Sequence, residues 1–516
     1  MVFNHEARKE NVLKASVSAL INCAVNIGLQ LGYRTVFLHV LTYEYLGMDR
    51  LFADILGLLG LADLGVAEAI IFRLYDPISR EDTERVGRLM RFFGRTYHFI
   101  ALVILMLGSI VCPLLGLLIQ DTSEIPKDTN IYLVFMLLLF QSASTYLFSY
   151  RLFLLSADQK QNQTNILNTI NVFARYTVQM LLLIVTQSYA ITLVSGVVVT
   201  LLCNWLAGIW AEKQYPQVFR SESDLSKKER GQIYHDMSAT FLHKVGGTIV
   251  VSTDSILLSR FAGLTVTGVY SNYQMVISGI TGLIAASLGA LMPSFGNAHV
   301  TMKEAERYSV FKKTLFLNFW IAGMTTCCLY NLINDFILLW VRKELFLDEQ
   351  TVLLLCALFY MQTVRRVSII YTMSCGLINR DRFRPIVESV LNIFVSILCL
   401  KTIGTAGIFL GTIVSNLATV FWREPYLLYR YAFRQKLSDY WKLYTVNLIV
   451  TVCAVCLSAR LKGMLFEDLL NVADWVICGF LCAFIFQIVH GLVFFRTEGY
   501  RYYIGLLSQR IRRMFR

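Results

Sequence analysis

Residues 241–273 read FLHKVGGTIVVSTDSILLSRFAGLTVTGVYSNY. An apolar helix carrying Lys244 and Asp254 is followed by a tight glycine-containing turn and the first turns of a second apolar helix. A charge near the middle of a bilayer costs about 3 kcal/mol on insertion scales, so two in one apolar segment predict a polar cavity inside a membrane protein, or a buried ion pair that holds helices together. The same hairpin pattern recurs upstream, and the recurrence favours the cavity.

The composition agrees with a membrane protein. Of 516 residues, 56% are hydrophobic, and the mean hydropathy is +0.56, too apolar for a soluble multidomain chain. Apolar runs of roughly 20 residues repeat from end to end, about fourteen in all, and the longest connection is only about 25 residues, too short for a soluble domain. The net charge of +12 does not signal nucleic acid: most Lys and Arg fall in alternate connections, the positive-inside pattern, and no aromatic-rich basic domain carries them. Both termini are therefore expected in the cytoplasm, with the chain spanning a bacterial-type plasma (inner) membrane.

Of the 12 cysteines, none lies in a connection assigned to the outside, so no disulfide framework is expected. Cys453 and Cys456 form a C-x-x-C inside an apolar span, where a zinc or redox role lacks a partner pair and water. The first apolar segment is too long for a signal peptide, and nothing in the chain calls for a cofactor or metal.

Span 1 is expected over about 12–38 with Arg34 near its outer end, and span 2 over about 50–74 with Asp54, Asp63 and Glu68. After span 2, Ser79-Arg80-Glu81-Asp82 reads as a capping box opening an amphipathic helix with Val86, Leu89, Met90 and Phe93 on one face and arginines around it. Such a helix should lie in the cytoplasmic interface before turning into span 3. Arg175 falls near the middle of span 5, and Arg365 and Arg366 are adjacent in span 10, where helical geometry sends them about 100° apart. One of these two is expected to face the cavity and the other to pair with an acid or a carbonyl.

An internal repeat is visible at an offset of roughly 220 residues. Thr42, Gly47 and Phe52 of the first hairpin match Gly263, Gly268 and Tyr273 of the second, and Ser79 matches Thr301 at the head of another capping box. Six spans per repeat give the halves the same orientation, with a site expected between them. The expected organisation is an N-terminal six-helix lobe over 1–212, a cytoplasmic linker over 213–236, and a second lobe over 237–432. Accessory helices 13 and 14 follow over 433–495, then a basic cytoplasmic tail over 496–516 with Ile504, Leu507, Ile511 and Met514 at helical spacing. Trp210, Trp340, Trp422, Trp441 and Trp475 fall near span ends, as interfacial anchors do.

Counting about 1.5 Å per residue from the span boundaries puts Arg34 and Asp54 at one depth and Glu68 and Lys244 at another, so two ion pairs are expected. Asp54 and Glu68, fourteen residues apart on one helix, should project to the same side, and Asp63 away from Asp54.

With these residues in view, the chain resembles the Wzx-like oligosaccharide flippases, the polysaccharide-transporter branch of the MOP exporter superfamily. The resemblance rests on EYLGMDRLFADILGLLGLADLGVAEAIIFRLYDPI at 44–78 and HKVGGTIVVSTDSILLSRFAGLTVTGVYSNYQ at 243–274, and on the span layout. It implies an all-α fold of two six-helix lobes around a central cavity, with two extra helices, that flips polyprenyl-pyrophosphate-linked oligosaccharides to the outer leaflet by alternating access. Partners so implied are that lipid-linked substrate, membrane lipids, and polysaccharide polymerase or assembly proteins.

Arg34, Asp63, Lys244 and Asp254 match charged positions of the lining helices, and Glu68 departs from the small residue expected in its A-D-L-G-x-x-x-A context. Arg34, Lys244, Arg175 and one of Arg365 or Arg366 are the expected pyrophosphate contacts, and Asp54, Asp63, Glu68 and Asp254 the coupling or structural acids, with transport driven by cation antiport. A peptidoglycan-precursor flippase and a drug/cation antiporter share this layout, the antiporter fitting a cationic cavity badly. A glycan polymerase would be an enzyme and normally needs a large outer catalytic loop that the short connections do not offer. A transporter without catalytic residues is the reading expected.

Overall fold

Twenty-residue apolar segments in lipid must satisfy their backbone groups internally, and helices are how this chain does so. The computed structural model describes residues 8–63, 66–127, 129–220, 223–289, 302–341, 346–381, 383–466 and 471–514. Among them every regular element is a helix, and 11 helices are long and apolar enough to cross a membrane. The difference from the expected fourteen lies in spans 1, 2, 7 and 8, which are the spans expected to line the cavity: the first two are absent from the eleven, and the last two are counted as one.

In chain order, α1 is Arg8–Val40, α2 Tyr43–Leu59, α3 Val66–Ser79, α4 Thr83–Val111, α5 Ile131–Phe148, α6 Leu152–Ala157, α7 Gln161–Thr186, α8 Tyr189–Gln214, α9 Pro216–Phe219 and α10 Lys227–Gly289. The later helices are Glu304–Val341, Glu349–Ser374, Arg384–Ile403, Ala406–Ala418, Val420–Leu427, Leu437–Leu465, Val472–Phe494 and Glu498–Met514. Contacts divide the chain into two compact units, the first of residues 1–275 with 382–393 and the second of 276–381 with 394–516.

Several expected boundaries move. Span 2 is not one helix from residue 50: α2 starts at Tyr43, directly after the turn at Leu41 and Thr42, and gives way at Gly60–Asp63 to a tight 3-10 turn before α3. The expected alignment of Asp54 with Glu68 assumed an unbroken helix and does not apply. The amphipathic stretch with Val86, Leu89, Met90 and Phe93 buried runs on into span 3 as the single helix α4, with no turn between them. Its N-terminus is capped by Asp82, whose carboxylate accepts from the Arg85 N–H at 2.9 Å, whereas Ser79 donates to the Asp76 carbonyl at the end of α3. The matching Thr301 lies outside the described residues, and the helix after it begins at Glu304. The linker shortens as well, because α8 continues to Gln214 and α10 begins at Lys227.

Within α10 the path breaks once, at Gly263, whose φ of +88° lies in the region open to glycine. The second arm starts at Leu264, and its first N–H is satisfied by the Glu124 carboxylate from the segment before α5. That segment also ties to the first arm, where Ser259 donates to the Leu118 carbonyl at 3.0 Å and accepts from Gln120 N–H through its own carbonyl at 3.1 Å.

Inside the first unit, α2 and the second arm of α10 cross at their N-terminal ends. A Cβ on Gly47 would lie 2.0 Å from the Leu264 carbonyl oxygen, and a Cβ on Gly268 would lie 2.2 Å from that of Tyr43. Only glycine permits so close an approach of two backbones. Thr265 donates to Glu44 at 3.1 Å across a separation of 221 residues, and Gly47 with Gly268, like Tyr43 with Leu264, is related by that same separation. The crossing is therefore reciprocal: each helix presents its glycine to the first residue of its repeat counterpart.

The second unit has a core of Phe316, Cys327, Leu332, Val450, Ala454, Cys478, Cys482, Phe486 and Phe494. The Glu498–Met514 helix of the tail is seated there at its start, with Tyr500 stacked on Trp320 at 5.5 Å and Glu498 paired with Lys313 at 3.2 Å. Its first turns thus rest on protein, a departure from a wholly interfacial tail; the side chains of Leu507, Ile511 and Met514 lie outside the described residues.

Candidate functional site

In the first unit α1, α2, α7, α8 and α10 bring together the buried or half-buried Arg34, Asp49, Arg50, Asp54, Arg175 and Asp254, with Tyr189 among them. Arg34 Nη1 donates to the Ser271 hydroxyl at 2.9 Å, and Arg50 Nε donates to the Ser255 hydroxyl at 3.0 Å. Applying the 221-residue separation exchanges Arg34 with Ser255 and Arg50 with Ser271, so the two hydrogen bonds are images of one another. A second image follows: Tyr33 stands in the field of Asp49, and Tyr270 in that of Asp254. The repeat read from loose landmarks thus reappears as interchangeable contacts.

Arg34 makes no ion pair among the described residues, and the acid acting on it most strongly is Asp49. Asp49 accepts from the Tyr189 hydroxyl at 3.2 Å and lies in the combined field of Arg34, Arg175 and Arg50. Arg175 is half-buried with its guanidinium 4.6 Å from the Tyr176 ring centroid, an arrangement that retains charge in apolar surroundings. Tyr176 in turn packs against Tyr33 at 5.4 Å.

The expected Arg34–Asp54 pair does not form. Asp54 takes Arg50, one helical turn earlier on α2, at 2.8 Å; matching depths between helices overlooked this partner within the same helix. Asp254 is buried on the first arm of α10 and acts on Tyr270. Asp63 sits apart from this cluster in the 3-10 turn, near the Tyr146 hydroxyl. The side chains of Lys244 and Glu68 lie outside the described residues, and with them the expected pair that they would form.

In the second unit, Arg365 is held in a fork by Glu424, Nε to Oε2 at 3.1 Å and Nη2 to Oε1 at 2.8 Å, and its Nη1 donates to Asn416 at 2.8 Å. Its charge is answered within the unit. Arg366 beside it has a buried Nε with no hydrogen-bond partner among the described residues. The sequence reading passed over Asp49, Arg50, Tyr189 and Glu424. Thr42, a residue type common at helix starts and directly before Tyr43, would have started α2 early enough to bring Asp49 inside it.

By formal charge, Arg34, Arg50 and Arg175 face Asp49, Asp54 and Asp254, so this cluster is balanced among the described residues of the first unit. What it offers chemically is one guanidinium, that of Arg34, held by a neutral hydroxyl with donors left to serve a ligand, and carboxylates near enough to exchange partners with it.

A polytopic helical membrane protein with the fold of MOP superfamily transporters is the class that these features define. The lipid II flippase MurJ in its inward closed conformation is similar over 93% of this chain and 99% of that one, with a TM-score of 0.64 at 13% identity. A variant of the MATE transporter VcmN of Vibrio cholerae is similar over 83% of this chain and 98% of that one, with a TM-score of 0.61 at 13% identity. A MOP superfamily transporter from Pyrococcus furiosus is similar over 80% and 93%, with a TM-score of 0.54 at 12% identity. At such identities the likeness establishes the fold. Comparison by sequence with curated proteins gives no match. The model of the polysaccharide biosynthesis protein family matches residues 12–299, more than half of the chain, and the chain belongs to that family.

Proposed function

We propose that this protein carries polyprenyl-pyrophosphate-linked oligosaccharide from the cytoplasmic to the outer leaflet of a bacterial-type inner membrane, by alternating access, for surface polysaccharide assembly. The observation that carries the reading is the reciprocal pair Arg34–Ser271 and Arg50–Ser255 in a chain of the polysaccharide biosynthesis family. A pyrophosphate cannot cross hydrocarbon without donors that replace its water, and a guanidinium bonded to a serine gives up that partner far more cheaply than one bonded to a carboxylate. Arg34, with Arg175 and Lys244 in support, contacts the pyrophosphate; Asp49 holds Arg34 ready while the site is empty. Asp54 and Asp254 are the acids placed to accept a coupling proton or cation. The lobes remain as proposed over 1–212 and 237–432, and polymerase or assembly proteins take the product on the far side.

The test is the leaflet location of lipid-linked oligosaccharide in spheroplasts, probed with a membrane-impermeant glycan-binding reagent. Arg34→Gln is expected to remove outer-leaflet signal, with the protein still made and inserted; unchanged exposure would remove Arg34 from the site. The charge balance favours a second reading, antiport of an organic cation by the same fold. Normal exposure of the glycan in cells lacking the protein, joined to a raised sensitivity to cationic dyes, would select it.

A further inference from the structure

The arginines along the start of α4 take no part in the buried cluster. Three guanidiniums converge on one carboxylate: Arg95 Nη1 lies 2.8 Å from both oxygens of Asp224, Arg230 Nη2 3.4 Å from one, and Arg91 Nε 4.0 Å from the other. Asp224 belongs to the short non-helical stretch ahead of α10, and Arg95, its hydrogen-bond donor, holds its carboxyl below the usual carboxylate range. The neighbouring acids have other partners: Glu84 receives the Ser223 hydroxyl and faces Arg88, and Glu229 receives Ser226.

Arg95, Arg230 and Asp224 border a cleft of about 330 Å³ whose other walls are Thr96 and the largely apolar Val66, Phe92, Phe99, Ile100 and Tyr234. Phe99 is 65% exposed on the outer surface of α4, and Tyr234 is 54% exposed. A cleft with arginines at one end and exposed aromatic surface along the other matches a molecule with an anionic head and a hydrocarbon tail. A phosphate has the oxygens to occupy all three guanidiniums at once, which a single carboxylate with two oxygens does less well.

We propose that this cleft is a binding site for the phosphate head of an anionic membrane lipid, with Asp224 as a tethered stand-in that the head displaces and the lipid chain lying along Phe92, Phe99 and Ile100. The head can come from a prenyl pyrophosphate or from a bilayer phospholipid, since both bring phosphate oxygens attached to hydrocarbon. The site stands apart from the transport reading: binding is measured with no transport step, and either result leaves the leaflet assay to decide transport.

The full-length protein in phosphatidylcholine nanodiscs, with and without phosphatidylglycerol, is examined by native mass spectrometry for retained lipid, with farnesyl pyrophosphate and inorganic pyrophosphate as competitors. Retention of phosphatidylglycerol is expected to fall by roughly tenfold in Arg95→Gln and in Arg230→Gln, about the value of one charge-assisted hydrogen bond, and to rise in Asp224→Asn, where the stand-in loses its charge. Arg95→Lys, which keeps the charge, separates lost binding from lost folding by recovering part of the retention. Displacement by farnesyl pyrophosphate identifies the pyrophosphate lipid as the ligand, and resistance to it identifies the phospholipid; both support the site. Equal retention in wild type and all variants overturns the proposal, and so does inorganic pyrophosphate competing as well as the lipid, because the apolar walls would then contribute nothing.

Discussion

Arg34 in the first unit donates to a neutral serine and makes no ion pair among the described residues, Arg50 shares its Nε between Ser255 and the Asp54 carboxylate, and Arg365 in the second unit is clasped by both oxygens of Glu424 and by Asn416. All are arginines within apolar helices, and their positions in the sequence do not distinguish them. The difference lies in what would be left behind if the arginine let go. Withdrawing Arg365 strands a carboxylate whose side chain is 5% exposed, so that arrangement holds helices together. Withdrawing Arg34 strands a hydroxyl that already donates to the Gly268 carbonyl at 2.7 Å, so that arrangement can be remade when a ligand arrives.

The strongest way to break this comparison is to treat Arg365 as removable. Arg365→Ala is expected to cost about 3–5 kcal/mol of stability, the penalty for a buried charge left alone, seen as a large fall in the thermal midpoint of the purified protein. Replacing Arg365 and Glu424 together by Met and Leu should recover most of it. A mild effect of the single change would place Arg365 among the exchangeable arginines.

The glycine crossing comes next. Gly47→Ala and Gly268→Ala should each cost about 1–3 kcal/mol, because a methyl group at either place meets a carbonyl oxygen far inside contact distance and the helices must move apart. Once one alanine has separated them the other has little left to push against, so the double variant should cost clearly less than the sum. Additive losses would mean that the two contacts are independent and the reciprocity is only geometric.

The smallest expected effect sharpens the comparison most. Ser271→Ala and Ser255→Ala should each cost about 1 kcal/mol, the value of an ordinary hydrogen bond, and should resemble each other in size. A loss at either serine approaching that of Arg365→Ala would show that the first unit holds its arginines as firmly as the second does.

Much of the fold was legible because lipid imposes a length and a polarity on whatever crosses it: the spans from α5 to α8, and those after residue 304, fall within a few residues of the apolar runs. The lining helices were read less well for the same reason. They trade hydrophobicity for charge, so their ends are blurred, and a start at residue 50 instead of Tyr43 put Asp49 outside the span and Arg50 at its very edge. Depth measured from a misplaced boundary then gave Asp54 to Arg34, although the i to i+4 spacing of Arg50 and Asp54 was in plain sight. The partnership of Arg365 with Glu424, 59 positions apart, has no local signature, since it depends on how two helices rotate against each other.

At Gly47 and Gly268 main chain meets main chain, and neither glycine has a side chain to wedge between the helices. Two surfaces of that kind have no rotamers to unlock before they part and none to order again when they return. They lift away from one another like smooth plates, where interdigitated side chains would have to unmesh like gear teeth. Under the alternating access proposed above, a joint so built would cycle on little more than the exchange of a few hydrogen bonds, and it presents the same face from either side.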